Sequence, residues 1–240
     1  MRIKSITIII LACLAFIWTS LSADDVIIGI GNQQERIPLD FFYKSSLYEC
    51  LYYQDELGFS QGTISNIAFY NNFVTNLANK PTKIWLGTTN SIDLNTGWIP
   101  STQLNLVFDG TVNYPAGNHI VNIELDSLFQ YTGGSLVMMV LRPMDNGYFS
   151  SSDKFYCQTD TVNRARKAYN DNELLDPANP PVSANPNGQF PKVKFTYTSQ
   201  NIATDLACPS INVNSSVTLG TVEEVQVQIN NYGYVDQNNY

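Results

Sequence analysis

A single imidazole, His119, is available for general-base work in this chain of 240 residues. It follows Pro115-Ala116-Gly117-Asn118, a turn sequence after which a polar surface residue is expected in any case. Cys157 is the one thiol that would make a Cys-His nucleophile pair with it. The sequence beside either residue offers no orienting third group and no strained nucleophile turn. Carboxylates are plentiful, with 21 Asp and Glu. Two of them set about 5 or about 9 Å apart would suit glycoside hydrolysis, but no local feature selects a pair. These residues predict a chain that binds and is not an enzyme.

Two kinds of binding chemistry are represented. Hard oxygen ligands cluster in sequence at Asp145, Asn146, Asp153 and Asp160, the candidate ligands of a structural calcium ion. Their spacing is not that of an EF-hand loop, and Asp145-Asn146-Gly147 also reads as a plain turn. No Cys-x-x-Cys spacing occurs, which argues against zinc or redox chemistry. Aromatic rings could stack on sugar C–H faces while amides hold the hydroxyls. Trp98, in the loop Gly97-Trp98-Ile99-Pro100, is the first candidate for such a platform, followed by Tyr148 and Tyr169. Trp85 lies between Ile84 and Leu86 and is expected to pack on a sheet. Arg164, Arg166 and Lys167 form the one basic cluster, and the expectation for three charges in a loop is a solvated face.

The elements that must position these residues read as strands. Val26 to Ile30, Gly62 to Tyr70, Thr82 to Thr88 and Phe190 to Tyr197 carry β-branched and aromatic residues at strand spacing. Ser135 to Leu141 is nearly continuous in apolar residues, the pattern of a strand covered on both faces. Leu104 to Val112 and His119 to Leu125 flank the Pro115 to Asn118 turn and predict a hairpin. Between Asn163 and Gln189 the alternation lapses into a proline-rich loop. The fold expected is all-β, an antiparallel two-sheet jelly-roll sandwich over residues 24–198.

Residues 1–23 read as a signal peptide: Arg2 and Lys4, an apolar run from Ile6 to Trp18, then small residues to Ala23. That run of 13 is shorter than the roughly 20 residues a membrane helix needs. No later stretch reaches that length, so no transmembrane segment is expected after cleavage. Formal charge is −8, and losing Arg2 and Lys4 takes it to −10. Phosphate binding needs a basic footprint, so nucleic acid is excluded as a partner. Charged residues make up 14% of the chain, against about 25% in an average domain, as suits an exported β-protein with an uncharged polar surface. Cys50, Cys157 and Cys208 would remain after cleavage, and Cys50 and Cys157 read equally well as buried thiols or as a bridge. Past a linker at 199–206, residues 207–240 alternate at Val225, Val227 and Ile229. They predict the truncated start of an immunoglobulin-like domain, the alternative being two strands added to the sandwich.

The ordered blocks Ile28-Gly29-Ile30-Gly31-Asn32, Gly62 to Tyr70, Ile84-Trp85-Leu86-Gly87, Gly97-Trp98-Ile99-Pro100, Val107 to Val112 and Phe155-Tyr156-Cys157 resemble a β-sandwich module of secreted multidomain proteins of Bacteroidetes-like bacteria. Such modules are similar to the jelly-roll adhesin domains that accompany gingipain-type peptidases and often precede cell-adhesion-related immunoglobulin-like domains. The resemblance implies a non-catalytic recognition or adhesion module at the N-terminus of a larger secreted or cell-surface protein. Its partner would be an extracellular polymer, a glycan or a cell-surface protein. The alternatives are a carbohydrate-binding module of a degradative enzyme and an accessory domain of a secreted peptidase.

Overall fold

The computed structural model describes residues 23–199, 206–212 and 226–231. The expected leader lies outside the described residues except for Ala23, and so does most of the unit expected over 207–240. Of that unit, two strands are described, β14 (Leu206–Asn212) and β15 (Gln226–Asn231), paired antiparallel with Ile211 opposite Val227.

Residues 24–199 form two antiparallel sheets laid face to face, the sandwich expected from the sequence. In the first sheet β4 (Gly62–Phe73) is central. It pairs with β7 (Gly117–Tyr131) along one edge, and with β13 (Val193–Ser199) and the start of β9 (Lys154–Thr159) along the other. β1 (Asp24–Ile28) adds to β13, while β2 (Gln33–Glu35) and β12 (Gln189–Pro191) flank β9. The second sheet runs in the order β11 (Pro186–Asn187), β10 (Ala165–Asn170), β3 (Ser45–Tyr52), β8 (Ser135–Arg142), β5 (Leu77–Thr89), β6 (Asn105–Tyr114). Among the described residues no helix is long and apolar enough to cross a membrane. The one α-helix among the described residues, Gln54–Leu57, is a single turn after β3.

The inward faces alternate as strand geometry requires. Tyr48, Cys50 and Tyr52 of β3 meet Ile64, Ile67, Phe69 and Phe73 of β4 and Phe155 and Cys157 of β9 in one core. β8 is central to the second sheet and covered on both faces: Met138 and Val140 point into that core, while Val137, Met139 and Leu141 lie under loops on the outside. This is why the run from Ser135 to Leu141 lacks polar alternation. β3 is buried in the same way from Ser45 to Tyr52. The loop-covered outer face of the second sheet is where the residues of interest collect.

Two expectations need correction. The strands flanking Pro115 do not form a hairpin. Among the described residues β6 pairs only with β5 and β7 only with β4, so the turn is a corner from one sheet to the other. Val107, Val112 and Tyr114 on one strand and Val121, Ile123 and Leu125 on the other all enter the core, so these strands face each other across it. Asn71 Nδ2 holds the corner by donating to Pro115 O at 2.8 Å. Second, the segment after Asn163 is not all loop. Ala165 to Asn170 form β10, in register with β3 from Cys50 to Ser45.

Candidate functional site

Two segments cover the outer face of the second sheet: residues 93–104 between β5 and β6, and the proline-rich segment 171–185 between β10 and β11. They seat on two apolar clusters. Leu47, Trp85, Met139, Leu141 and Leu175 form one, with Trp98, Leu104 and Ala168 against it. Leu51, Leu94 and Val137 form the other, with Tyr53 and Ile99 against it.

Arg166 joins the two covering segments. Its side chain is 5% exposed and leaves β10 on the outer face. Nε donates to Leu94 O at 2.7 Å, Nη2 to Asn95 O at 3.0 Å, and Nη1 to Ala184 O. Beside it on β3, Glu49 is wholly buried. Glu49 Oε1 accepts the Ile99 N–H at 2.9 Å, and Oε2 has no partner. Burial pushes the Glu49 carboxyl up to about 8, although the Ile99 amide and Arg166 both pull it back down. Arg164 is buried too, against Glu56, Asp160 and the Leu51 carbonyl. The solvated basic face expected at Arg164 and Arg166 is therefore wrong. In a chain this sparsely charged, guanidinium groups satisfy carbonyl oxygens inside the structure that the loops leave without a partner.

The three aromatic candidates sit differently. Trp98 is half-buried, packs on the outer-face cluster and donates Nε1–H to Pro181 O at 3.1 Å. It lines a recess of about 460 Å³ with Asn95, Thr96, Arg166 and Val182. Across the Pro180-Pro181 wall is a cleft of about 580 Å³, lined by Lys167, Tyr169, Asn170, Asn185, Asn187 and Gln189 among others. The cleft opens because β11 pairs with β10 only at Ala165 and Arg166, after which the two segments diverge. Tyr169 is 49% exposed, and its ring stacks on Tyr43 with centroids 3.9 Å apart and planes at 17°. That stacking fixes its orientation. Tyr148 is exposed in another loop, under the Lys44 ammonium at 5.0 Å. The structure thus places Trp98 and Tyr169 on either side of one loop, and Tyr148 is in neither lining.

The four candidate calcium ligands do not converge. Asp145 is bound by Lys80 at 3.0 Å and Arg142 at 3.2 Å. Burial works against its charge, but those cations and the Gly147 N–H hold its carboxyl below the usual range. Asp153 accepts the N–H groups of Val74 and Thr75 at 2.8 Å each and of Ser150 at 3.2 Å. Asp160 pairs with Arg164 at 3.2 Å, and Asn146 is exposed in its turn. Among the described residues no three His, Cys, Asp or Glu groups gather as a metal site needs. Each of the three carboxylates already holds a cation or backbone donors. A chelator should leave the melting temperature unchanged, as differential scanning calorimetry with and without EDTA will check.

His119 is exposed, with Nε2 at 3.0 Å from Ala116 O. Cys50 and Cys157 are free, buried thiols. Desolvation pushes them up to about 12 and about 11, far from the thiolate a nucleophile requires.

No family model matches this chain, and no curated protein matches it. A solved structure described as the cysteine protease and lectin-like domains of Cwp84, a surface layer associated protein of Clostridium difficile, aligns with it at a TM-score of 0.33 and 12% identity. The alignment covers 65% of this chain and 32% of that one.

Glu49 and Tyr43 carry no part in the sequence reading, and Arg166 enters it only as a solvated charge. Glu49 was visible in principle: it alternates with Leu47 and Leu51, so it is the acid on an otherwise apolar strand face. Tyr43 carried no local signal, because its partner Tyr169 is more than a hundred residues away.

Proposed function

We propose that residues 24–198 are a non-catalytic extracellular recognition module that reads a neutral glycan in the Tyr169 cleft. The observation carrying this reading is the cleft's lining. In a chain with 21 acidic residues, the cleft has no carboxylate and, besides the Lys167 ammonium, presents Asn170, Asn185, Asn187 and Gln189 beside a tyrosine ring stacked on Tyr43. Amides in number suit hydroxyl groups, which both donate and accept, and a pre-stacked ring offers apolar area without the cost of ordering it. A lining without paired carboxylates lacks what glycoside hydrolysis requires. Asn170 Oδ1 and Asn187 Oδ1 accept backbone N–H groups, which orients each amide.

Trp98 ranks below Tyr169 on this reading, because its N–H and much of its ring are committed to holding the loop. Export by the leader and an immunoglobulin-like unit opening at β14 belong to the same proposal.

Native-gel retardation against a panel of soluble neutral polysaccharides tests the proposal. At least one polymer should slow the protein. Tyr169→Ala should weaken that retardation about tenfold, the loss of one contact of about 1.4 kcal/mol, with the melting temperature retained. Retardation by no polymer, or full retardation in Tyr169→Ala, would overturn the glycan reading.

A further inference from the structure

Glu49 is a fully buried acid that the recognition reading does not use. It lies on the face of β3 covered by the loop carrying Trp98. The loop touches it through the Ile99 N–H, 2.9 Å from Oε1. Its second oxygen, Oε2, is buried with no hydrogen-bond partner. The groups around it are few. From β10 it faces Arg166, which gives one N–H from each of its three nitrogens to the Leu94, Asn95 and Ala184 carbonyls. From β8 its neighbour is the neutral Met139. In the loop, the Asp93 carboxylate is turned to Asn95, accepting its N–H at 2.9 Å and its Nδ2–H at 2.8 Å. A carboxylate there would keep one oxygen desolvated and unpaired, whereas a carboxylic acid carries no charge to desolvate.

We propose that Glu49 is a proton latch for residues 93–104: the loop seats on the sheet with Glu49 protonated, and lifting it, which opens the Trp98 recess, releases that proton. The inference concerns the loop itself and holds whatever ligand the cleft takes.

The sign follows from linkage. Seated, the carboxyl is pushed up to about 8 by burial. Lifted, it is hydrated and titrates near the ordinary glutamate value of about 4.3. Between those values each opening event releases a proton, so the opening constant rises about tenfold per pH unit. Below the window both forms are protonated, and above it both are ionised, so the slope vanishes at each end. The stability that the latch gives is complete at acid pH and lost as pH rises through about 8.

Hydrogen exchange of the full chain, followed by mass spectrometry on peptides spanning 93–104 from pH 5 to 9, tests this. After division by the intrinsic base-catalysed rate, protection should fall about tenfold per pH unit and level off near pH 8. Peptides from β8 supply the internal reference without that slope. Glu49→Gln, which cannot ionise, should be flat. A flat wild-type profile, or an unchanged slope in Glu49→Gln, would overturn the latch. Should Glu49→Gln fail to fold, the ¹³C shift of the Glu49 carboxyl in the wild-type protein decides: a midpoint near 8 supports the latch and one near 4 sinks it.

Discussion

Arg164→Met should lower the free energy of unfolding by about 3–5 kcal/mol, the usual cost of removing one partner from a buried ion pair. The Arg164 side chain is fully buried between the Tyr53 and Phe190 rings, each 4.1 Å from the guanidinium carbon. Nε and Nη2 both donate to Leu51 O, at 2.8 and 2.5 Å. Glu56 takes the fork through both carboxylate oxygens, and Asp160 takes Nη1 at 3.2 Å. Burial alone would weaken the guanidinium's hold on its proton. The Glu56 carboxylate outweighs that, and the net shift is upward. Methionine fills much of the space but removes the guanidinium donors from Leu51 O and from both acids, leaving Glu56 the Tyr53 N–H and Asp160 the Thr161 N–H. Glu56 and Asp160 are each about a quarter exposed, so they can turn to water. That places the loss at the lower end of the range. Arg164→Lys keeps the charge without the planar fork and should recover only part of it. Urea unfolding of both variants, with the Glu56→Gln double-mutant cycle, measures the coupling. A loss below about 1 kcal/mol in Arg164→Met would show the pair to be no more than a surface salt bridge.

The same residue shows how far sequence reasoning reached. Strands whose burial is set by their own alternation were readable. β8 declared its two covered faces through Ser135 to Leu141, and β4, β5 and β13 carried the expected residue types. Arg164 and Arg166 were misread because charge predicts exposure only until a loop carbonyl needs a donor, and the carbonyls of Leu51, Leu94 and Ala184 come from distant parts of the chain. β10 was hidden for a related reason. The sequence Ala165-Arg166-Lys167-Ala168-Tyr169-Asn170 has little apolar alternation, and what makes it a strand is the edge of β3 beside it. The Pro115 corner fails differently. Alternating apolar residues on both sides of a turn look the same whether two strands pair edge to edge or face one another across a core. The Tyr169 cleft was legible only as one aromatic residue, since its other side depends on where β11 parts from β10.

The core admits an equally large prediction, at Phe155. This ring is fully buried on β9 and lies within 4.9 Å of Phe73, 5.8 Å of Tyr114, 6.1 Å of Phe69 and 6.5 Å of Phe41, centroid to centroid. Three of the four contacts are edge-on, at 75° to 88°, so ring hydrogens meet ring faces. The four partners come from both sheets and from the segment before β3, which makes Phe155 the point where separate parts of the chain meet. Phe155→Ala should cost about 3–5 kcal/mol, since the four rings packed around it cannot collapse into the void. Phe155→Leu restores most of the volume and loses the edge-to-face geometry, for about 1.5 kcal/mol or less. Phe42→Ala is the control: that ring is 41% exposed and the change should fall within about 0.5 kcal/mol. Against a total of about 5–15 kcal/mol for a typical domain, the alanine variant removes a large fraction of the stability. Urea midpoints with unchanged slopes will order the three variants. If Phe155→Ala proves no worse than Phe42→Ala, the aromatic cluster is not what holds the two sheets together.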